Sequence, residues 1–253
     1  MKVLIVMTGA SELRLVDRTR HTSGYWAEEF VVPYERFVAE GYDVDVATVG
    51  GVRPSPDPGS LDPKVIGLTR PARSEDRDAE NAAHYREVID SVPILRKPLR
   101  VEDIDPKRLG GYSGLYIAGG HGAMEDMPRS WELGLLLAAA ADREMTVAAV
   151  CHGQSAFLPL RDHSGRWPLE GFRMTAFSHA EELVTDMAGR LPFVLQFELE
   201  RLGAKYEKAD DIWGSHVVDH GNLITGQNPH SSAAISEALV RALSLSGDRV
   251  RLG

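Results

Sequence analysis

Apolar and polar positions along the chain alternate with two different periods, and the changes of period mark out its elements. Residues 3–7 form an unbroken apolar run closed by Thr8 and Gly9, the pattern of a short strand buried on both faces. Over residues 25–40 the large apolar side chains fall at Trp26, Phe30, Tyr34, Phe37 and Val38, close to helical spacing, and Gly41 follows as a stop. Pro33 lies inside that stretch and should kink the helix or leave a carbonyl unpaired. Residues 42–49 alternate as a strand does, so the first fifty residues predict a βαβ unit with a right-handed crossover.

The same logic carries through the rest of the chain. Residues 50–63, rich in Gly, Pro, Asp and Ser, predict loop. Residues 70–92 are highly charged with apolar positions at helical spacing, which predicts an exposed amphipathic helix. Strands follow at 112–118 and 146–150, with a strongly apolar helix at 131–143 between them. Helices are expected at 191–202 and 231–243, and paired short strands at 217–218 and 223–225 around a turn at His220, Gly221 and Asn222. No repeat, low-complexity tract or linker divides the chain. One α/β domain over residues 1–253 is expected, a doubly wound, mainly parallel sheet with helices on both faces, as in a flavodoxin-like sandwich.

Composition narrows the function. With 253 residues, 43% of them hydrophobic, the chain can bury a sizeable core. Its net charge of −9 leaves no basic excess to neutralise phosphates, which argues against nucleic acid or an anionic membrane as partner. The N-terminal apolar run is too short to span a bilayer or serve as a secretory signal. A lone cysteine cannot close an internal disulfide, which suits a reducing, cytoplasmic setting.

That cysteine is the centre of the chemistry. Cys151 ends the strand at 146–150 with Ala149 two residues before it and Gly153 two after, the small residues that a tight strand-to-helix turn requires of an exposed nucleophile. N–H groups of a helix starting there would favour thiolate. Gly119-Gly120-His121-Gly122 ends the neighbouring strand, so backbone N–H groups at Gly120 and His121 are candidates for an oxyanion hole. Neither a dinucleotide fingerprint nor a lysine-bearing phosphate loop is present. Nine histidines raise the question of metal, but no HExxH, CxxC or close pair occurs, so no metal site is expected; His21, His84, His163 and His216 read as surface residues.

Together these motifs resemble the ThiJ/PfpI (DJ) superfamily of class I glutamine-amidotransferase-like proteins, in the branch of heat-shock chaperones and glutathione-independent glyoxalases. The resemblance runs through Ser23-Gly24-Tyr25-Trp26-Ala27-Glu28-Glu29-Phe30 with Pro33-Tyr34, then Gly50-Gly51, Pro56-Asp57-Pro58 and Ser60-Leu61. It continues through the Gly119 turn, Ala149-Val150-Cys151-His152-Gly153, Thr175-Ala176-Phe177-Ser178 and the stretch from Leu223 to Pro229. It implies Cys151 as nucleophile, His152 and Glu29 as its acid–base partners, and Gly120, His121 and Gly153 as substrate-binding or oxyanion positions. The third group is Glu181 or Glu182, and Glu182 is the choice. A downstream His-x-Glu pair of the amidotransferase kind is missing, which speaks against that activity and against proteolysis. The activity implied is conversion of a 2-oxoaldehyde such as methylglyoxal to a 2-hydroxy acid without cofactor, by a protein that forms a homodimer. A specialised hydratase or lyase using the same Cys–Glu pair, or a stress chaperone or redox sensor, are the alternatives. Residues 13–22 are longer and more basic than a minimal loop, so Arg14, Arg18 or Arg20 could meet an anionic or larger substrate.

Overall fold

A computed structural model describes residues 1–69 and 74–251, and side chains as far as 245. Seven strands form one sheet: β1 (Lys2–Met7), β2 (Asp43–Thr48), β3 (Leu99–Arg100), β4 (Gly114–Ile117), β5 (Thr146–Val150), β6 (Val217–His220) and β7 (Leu223–Gly226). Their spatial order is β6-β7-β5-β4-β1-β2-β3, parallel throughout except for the β6–β7 hairpin at one edge. This is the expected doubly wound, mainly parallel sheet.

The unbroken apolar runs are explained by burial on both faces. Along β1, Leu4 and Val6 enter one core while Val3, Ile5 and Met7 enter the other. Leu115 and Ile117 of β4 likewise point opposite to Tyr116. Helices α1 (Ala27–Ala39) and α5 (Ser232–Arg251) cover the Val3 face through Phe30, Phe37, Ile235 and Leu239. Helices α3 (Trp131–Ala141) and α4 (Leu195–Arg201) cover the Leu4 face through Leu133, Leu137, Leu195 and Leu199. Each such side chain removed from water contributes about 1.5–3 kcal/mol, which fixes the register of strand against helix. The remaining long helix, α2 (Glu75–Ser91), is the charged one.

Several expectations change in detail. The charged helix begins at Glu75, and the expected start at 70–73 lies outside the described residues. The stretch 13–22 is no simple loop: Glu12–Arg14 and Arg20–Thr22 pair as an antiparallel hairpin. Alternation there lasts three residues per strand, too short to register as a period. The helix expected at 191–202 starts only at Leu195, after Pro192 and Phe193. The last helix runs on to Arg251 rather than stopping near 243. No helix among the described residues is long and apolar enough to cross a membrane.

Pro33 resolves in an informative way. Helix α1 continues through it, and the ring removes the N–H that would bond the Glu29 carbonyl. The Tyr116 hydroxyl donates to that carbonyl instead, at 2.9 Å. The residue whose carbonyl is orphaned is the one expected to carry the catalytic carboxyl.

Candidate active site

Strand β5 runs directly into Cys151, where the backbone turns at φ +62°. For a side chain other than glycine this left-handed conformation costs about 1–3 kcal/mol and persists only where surrounding contacts hold it. Here they do. The chain continues as a tight helical segment, Cys151–Phe157, and the Phe177 N–H donates to the Cys151 carbonyl at 3.1 Å. Gln154 Nε2 lies 3.1, 2.8 and 2.9 Å from the carbonyls of Ala149, Thr175 and Gly226, fastening the segment to β5, β7 and the 175–178 stretch. Gly153 is required by packing, because a Cβ there would stand 2.7 Å from the Ile117 carbonyl oxygen. The structure shows it in close approach of the elbow to β4.

His152 is 1% exposed, with Nδ1 3.2 Å from Cys151 Sγ and Nε2 2.6 Å from Glu182 Oε1. The other carboxylate oxygen, Oε2, lies 3.1 Å from His121 Nε2. One buried carboxylate therefore joins two imidazoles, whose ring centroids are 4.1 Å apart. Burial alone would raise Glu182, but His121 and His152 outweigh it and hold the carboxyl well below its usual range. An ionised Glu182 only accepts, so each Nε2 carries a hydrogen toward it. Burial and the neighbouring His121 charge push His152 down to about 4, which leaves it neutral. With Nε2 protonated and the ring neutral, Nδ1 is a bare acceptor facing the thiol. His121 moves the other way: burial opposes its charge, yet the Glu182 carboxylate raises it.

Glu29 reaches the same sulfur from α1. It is fully buried, and Oε2 accepts the Gly119 N–H at 2.9 Å. Burial raises its carboxyl well above the ordinary range, against the opposing effects of the neighbouring Cys151 thiol and the Gly119 N–H. Burial and the Glu29 charge raise the thiol in turn, while backbone N–H groups of Gly120 and His152 favour the thiolate. Two anions cannot comfortably share this space, so Glu29 holds its proton beside the sulfur. The N–H groups that favour thiolate at Gly120 and His152 are also where an alkoxide on an adjacent carbon would find donors. Gly120 has φ +102°, and a Cβ would stand 2.5 Å from both the Gly24 carbonyl oxygen and the Trp26 nitrogen. The glycine turn is thus pressed against the start of α1, which brings Glu29 to the elbow.

The site opens into a cavity of about 570 Å³, with Cys151, His152, Gly120 and His121 in its wall. The two adjacent glutamates part company in space. Glu181 caps its own short helix through Ser178 and accepts from Asn228 Nδ2 at 2.7 Å, leaving Glu182 to the histidines. His121 lies in the wall, and its side chain meets Glu182. His21 lines the cavity and is half-buried, as is His216, while His84 and His163 are exposed. Arg14, Arg18 and Arg20 do not line it; Arg20 pairs with Glu12 at 2.9 Å. Among the described residues, His121, His152 and Glu182 bring donor atoms within 4.8 Å of one another, close enough to hold a metal ion. They come from three separate segments, which is why no spacing motif marks them. The sequence pattern does not single out Tyr116, Gln154 or Trp213. Phe177, which it marks only as one member of a motif, lies over His152 at a centroid distance of 4.5 Å.

No family model matches the chain. Glyoxalase 3 of Candida albicans is 28% identical over 253 residues, covering 96% of this chain and 98% of that protein. The crystal structure of that organism's glyoxalase III superposes with a TM-score of 0.76 at 25% identity, over 96% of this chain and 97% of that one. Protein/nucleic acid deglycase HchA of Escherichia coli is 27% identical over 245 residues, 93% of this chain and 78% of its own. A ThiJ/PfpI domain protein from Brachyspira murdochii, at 16% identity and a TM-score of 0.59, covers 96% of this chain and 96% of its own and shares the fold.

Proposed function

From the premise that this chain belongs to the ThiJ/PfpI (DJ) superfamily, in its glyoxalase III branch, we propose that it converts 2-oxoaldehydes such as methylglyoxal to 2-hydroxy acids without a cofactor. The observation that carries the reading is one sulfur with two acid–base groups on it. Cys151 Sγ lies 3.2 Å from a neutral imidazole nitrogen, and the buried carboxyl of Glu29, whose Oε1 makes no hydrogen bond among the described residues, stands beside it.

The steps follow from those positions. His152 Nδ1 takes the thiol proton as sulfur adds to the aldehyde carbon, forming the C–S bond of a hemithioacetal. The new alkoxide is met by the N–H groups of Gly120 and His152 and takes the Glu29 proton, which leaves Glu29 ionised. Glu29 then removes the proton from that carbon while the His152 imidazolium protonates the ketone oxygen, giving an enediol; Glu29 returns its proton to the neighbouring carbon as the first hydroxyl gives its own back to His152. The product of this transfer is a thioester of the 2-hydroxy acid. Water hydrolyses the thioester, giving the acid and restoring the thiol. The aldehyde carbon is oxidised by the electrons that the ketone carbon gains, so no external oxidant is required. Glu182 keeps His152 in the tautomer that leaves Nδ1 free.

HchA carries nucleic acid in its name, but a net charge of −9 and a cavity wall with no lysine or arginine among the described residues favour a small molecule for this chain. The homodimer implied by the resemblance belongs to the same proposal, and light scattering at micromolar concentration tests it. The activity test is loss of methylglyoxal with appearance of lactate, for wild type beside Cys151→Ala and Glu29→Gln. The expected loss in Glu29→Gln is about 10²–10⁴-fold. Wild-type turnover no faster than Cys151→Ala would sink the reading.

A further inference from the structure

We propose that the preferred substrate of this site is a 2-oxoaldehyde bearing a large uncharged apolar group, aryl or extended alkyl, in place of the methyl of methylglyoxal. This rests on the cysteine chemistry proposed above and adds the identity of the substrate's tail. Methylglyoxal has five non-hydrogen atoms, whereas the cavity over Cys151 measures about 570 Å³. That volume falls within the roughly 300–1,000 Å³ typical of pockets that enclose drug-sized ligands.

The lining determines what can fill it. Trp26, Val65, Leu68, Phe177, Val184 and Trp213 supply an aromatic and aliphatic wall. Val184 and Leu68 are 57% and 56% exposed, an arrangement that leaves apolar surface open to water unless a ligand covers it. Trp213 packs on Phe177 at a centroid distance of 5.6 Å, and Phe177 packs on His152, so the aromatic wall is continuous with the reacting groups. Charge argues in the same direction. Among the described residues no lysine or arginine is in the wall, and its carboxylates are Asp57 and Asp186. Asp57 is already engaged, accepting from Ser23 Oγ and the Gly59 N–H, both at 2.9 Å. Glu182 already engages His121, so among the described residues an anionic tail would find no lysine or arginine to pair with, and an uncharged tail fits best. The bonds made and broken at the two carbonyl carbons are those given above, since the tail takes no part in them.

Each methylene seated in a fitted apolar pocket is worth about 10–200-fold in kcat/KM. Phenylglyoxal is therefore expected to exceed methylglyoxal by at least about tenfold. The test compares kcat/KM for phenylglyoxal, hexylglyoxal and methylglyoxal in wild type, Val184→Asp, Val65→Asp and Cys151→Ala. Support is a preference for both large substrates whose ratio over methylglyoxal falls about tenfold or more in either aspartate variant. Exposed Val184 provides a site where folding is not at stake, and circular dichroism checks both variants. Methylglyoxal turned over as well as the larger compounds overturns the inference while leaving the cysteine chemistry intact. A preference that persists unchanged in both aspartate variants belongs to the aldehyde rather than the wall, and also overturns it. Wild type no faster than Cys151→Ala on all three overturns both this and the reading beneath it.

Discussion

Replacing Tyr116 with phenylalanine removes one oxygen and opens no space, yet it should unseat the site from 87 residues away in sequence. The hydroxyl donates to the Glu29 carbonyl at 2.9 Å, and both residues are fully buried. Pro33 has no N–H to take its place. A buried carbonyl left without a donor costs about 1–3 kcal/mol. At about 2–4 °C per kcal/mol for a chain of this size, Tm should fall by roughly 2–12 °C. The structure also names the rescue. In Pro33→Ala the backbone N–H of residue 33 returns and can bond the Glu29 carbonyl along the helix. Tyr116→Phe should then cost much less in the Pro33→Ala background than in wild type, a coupling of about 0.5–3 kcal/mol.

The assay is a four-member cycle by denaturant titration, which cancels the intrinsic effect of losing the proline ring. Turnover of a 2-oxoaldehyde gives a second readout, because Glu29 carries the carboxyl beside Cys151 on the same residue as the orphaned carbonyl. kcat should fall in Tyr116→Phe and recover partly in the double variant. Equal cost of Tyr116→Phe in both backgrounds, within about 0.5 kcal/mol, would refute the argument.

Three further outcomes follow from the site. Glu182→Gln keeps the shape but loses the anion that fixes the His152 tautomer, so kcat/KM should fall about 10²–10⁴-fold with Tm little changed; a loss under about fivefold would remove Glu182 from the mechanism. Because His152 is held near 4 by burial and His121, and its neutral form is the base, kcat/KM should rise with pH through that value and level off. His121→Gln removes the opposing charge, so this acid limb should move to higher pH, and a limb that stays or moves lower contradicts the assignment. Gly153→Ala places a methyl 2.7 Å from the Ile117 carbonyl oxygen, which forces the elbow away from β4. It should lower stability by about 1–3 kcal/mol and depress turnover; full activity would show the contact to be soft.

Much of this architecture was legible because burial on both faces writes itself as unbroken apolar runs, as at 3–7 and 146–150. The elbow was legible for a related reason: Ala149 and Gly153 are small where Cys151 needs the chain to turn. What stayed hidden depends on approach between distant segments. Nothing local to Tyr116 marks its hydroxyl as the donor that Pro33 makes necessary, although Pro33 itself announced a broken hydrogen bond. Glu181 and Glu182 are adjacent and the same residue type, and only the Ser178 cap and Asn228 separate them. Arg14, Arg18 and Arg20 read as a basic rim, but the hairpin presents His21 and Thr22 to the cavity instead. His121 was marked for its backbone N–H, and the contact of its ring with Glu182 carried no signal in the sequence.

The role of His121 is then set by a balance of charge. An isolated ion in this interior would be costly, and Glu182 is an ion. His121, held toward its charged form, pairs with it and at the same time keeps His152 neutral. Those two effects oppose each other in catalysis. A cation beside Glu182 weakens the carboxylate's hold on an imidazolium at His152, which makes His152 a poorer base. Without that cation, His152 would keep its proton, and its Nδ1 would stay blocked, up to a higher pH. The first effect lowers the plateau of the pH–rate curve and the second sets where the plateau begins. His121→Gln should therefore raise the acid limb and the plateau together, whereas loss of a merely structural histidine would move neither in that direction.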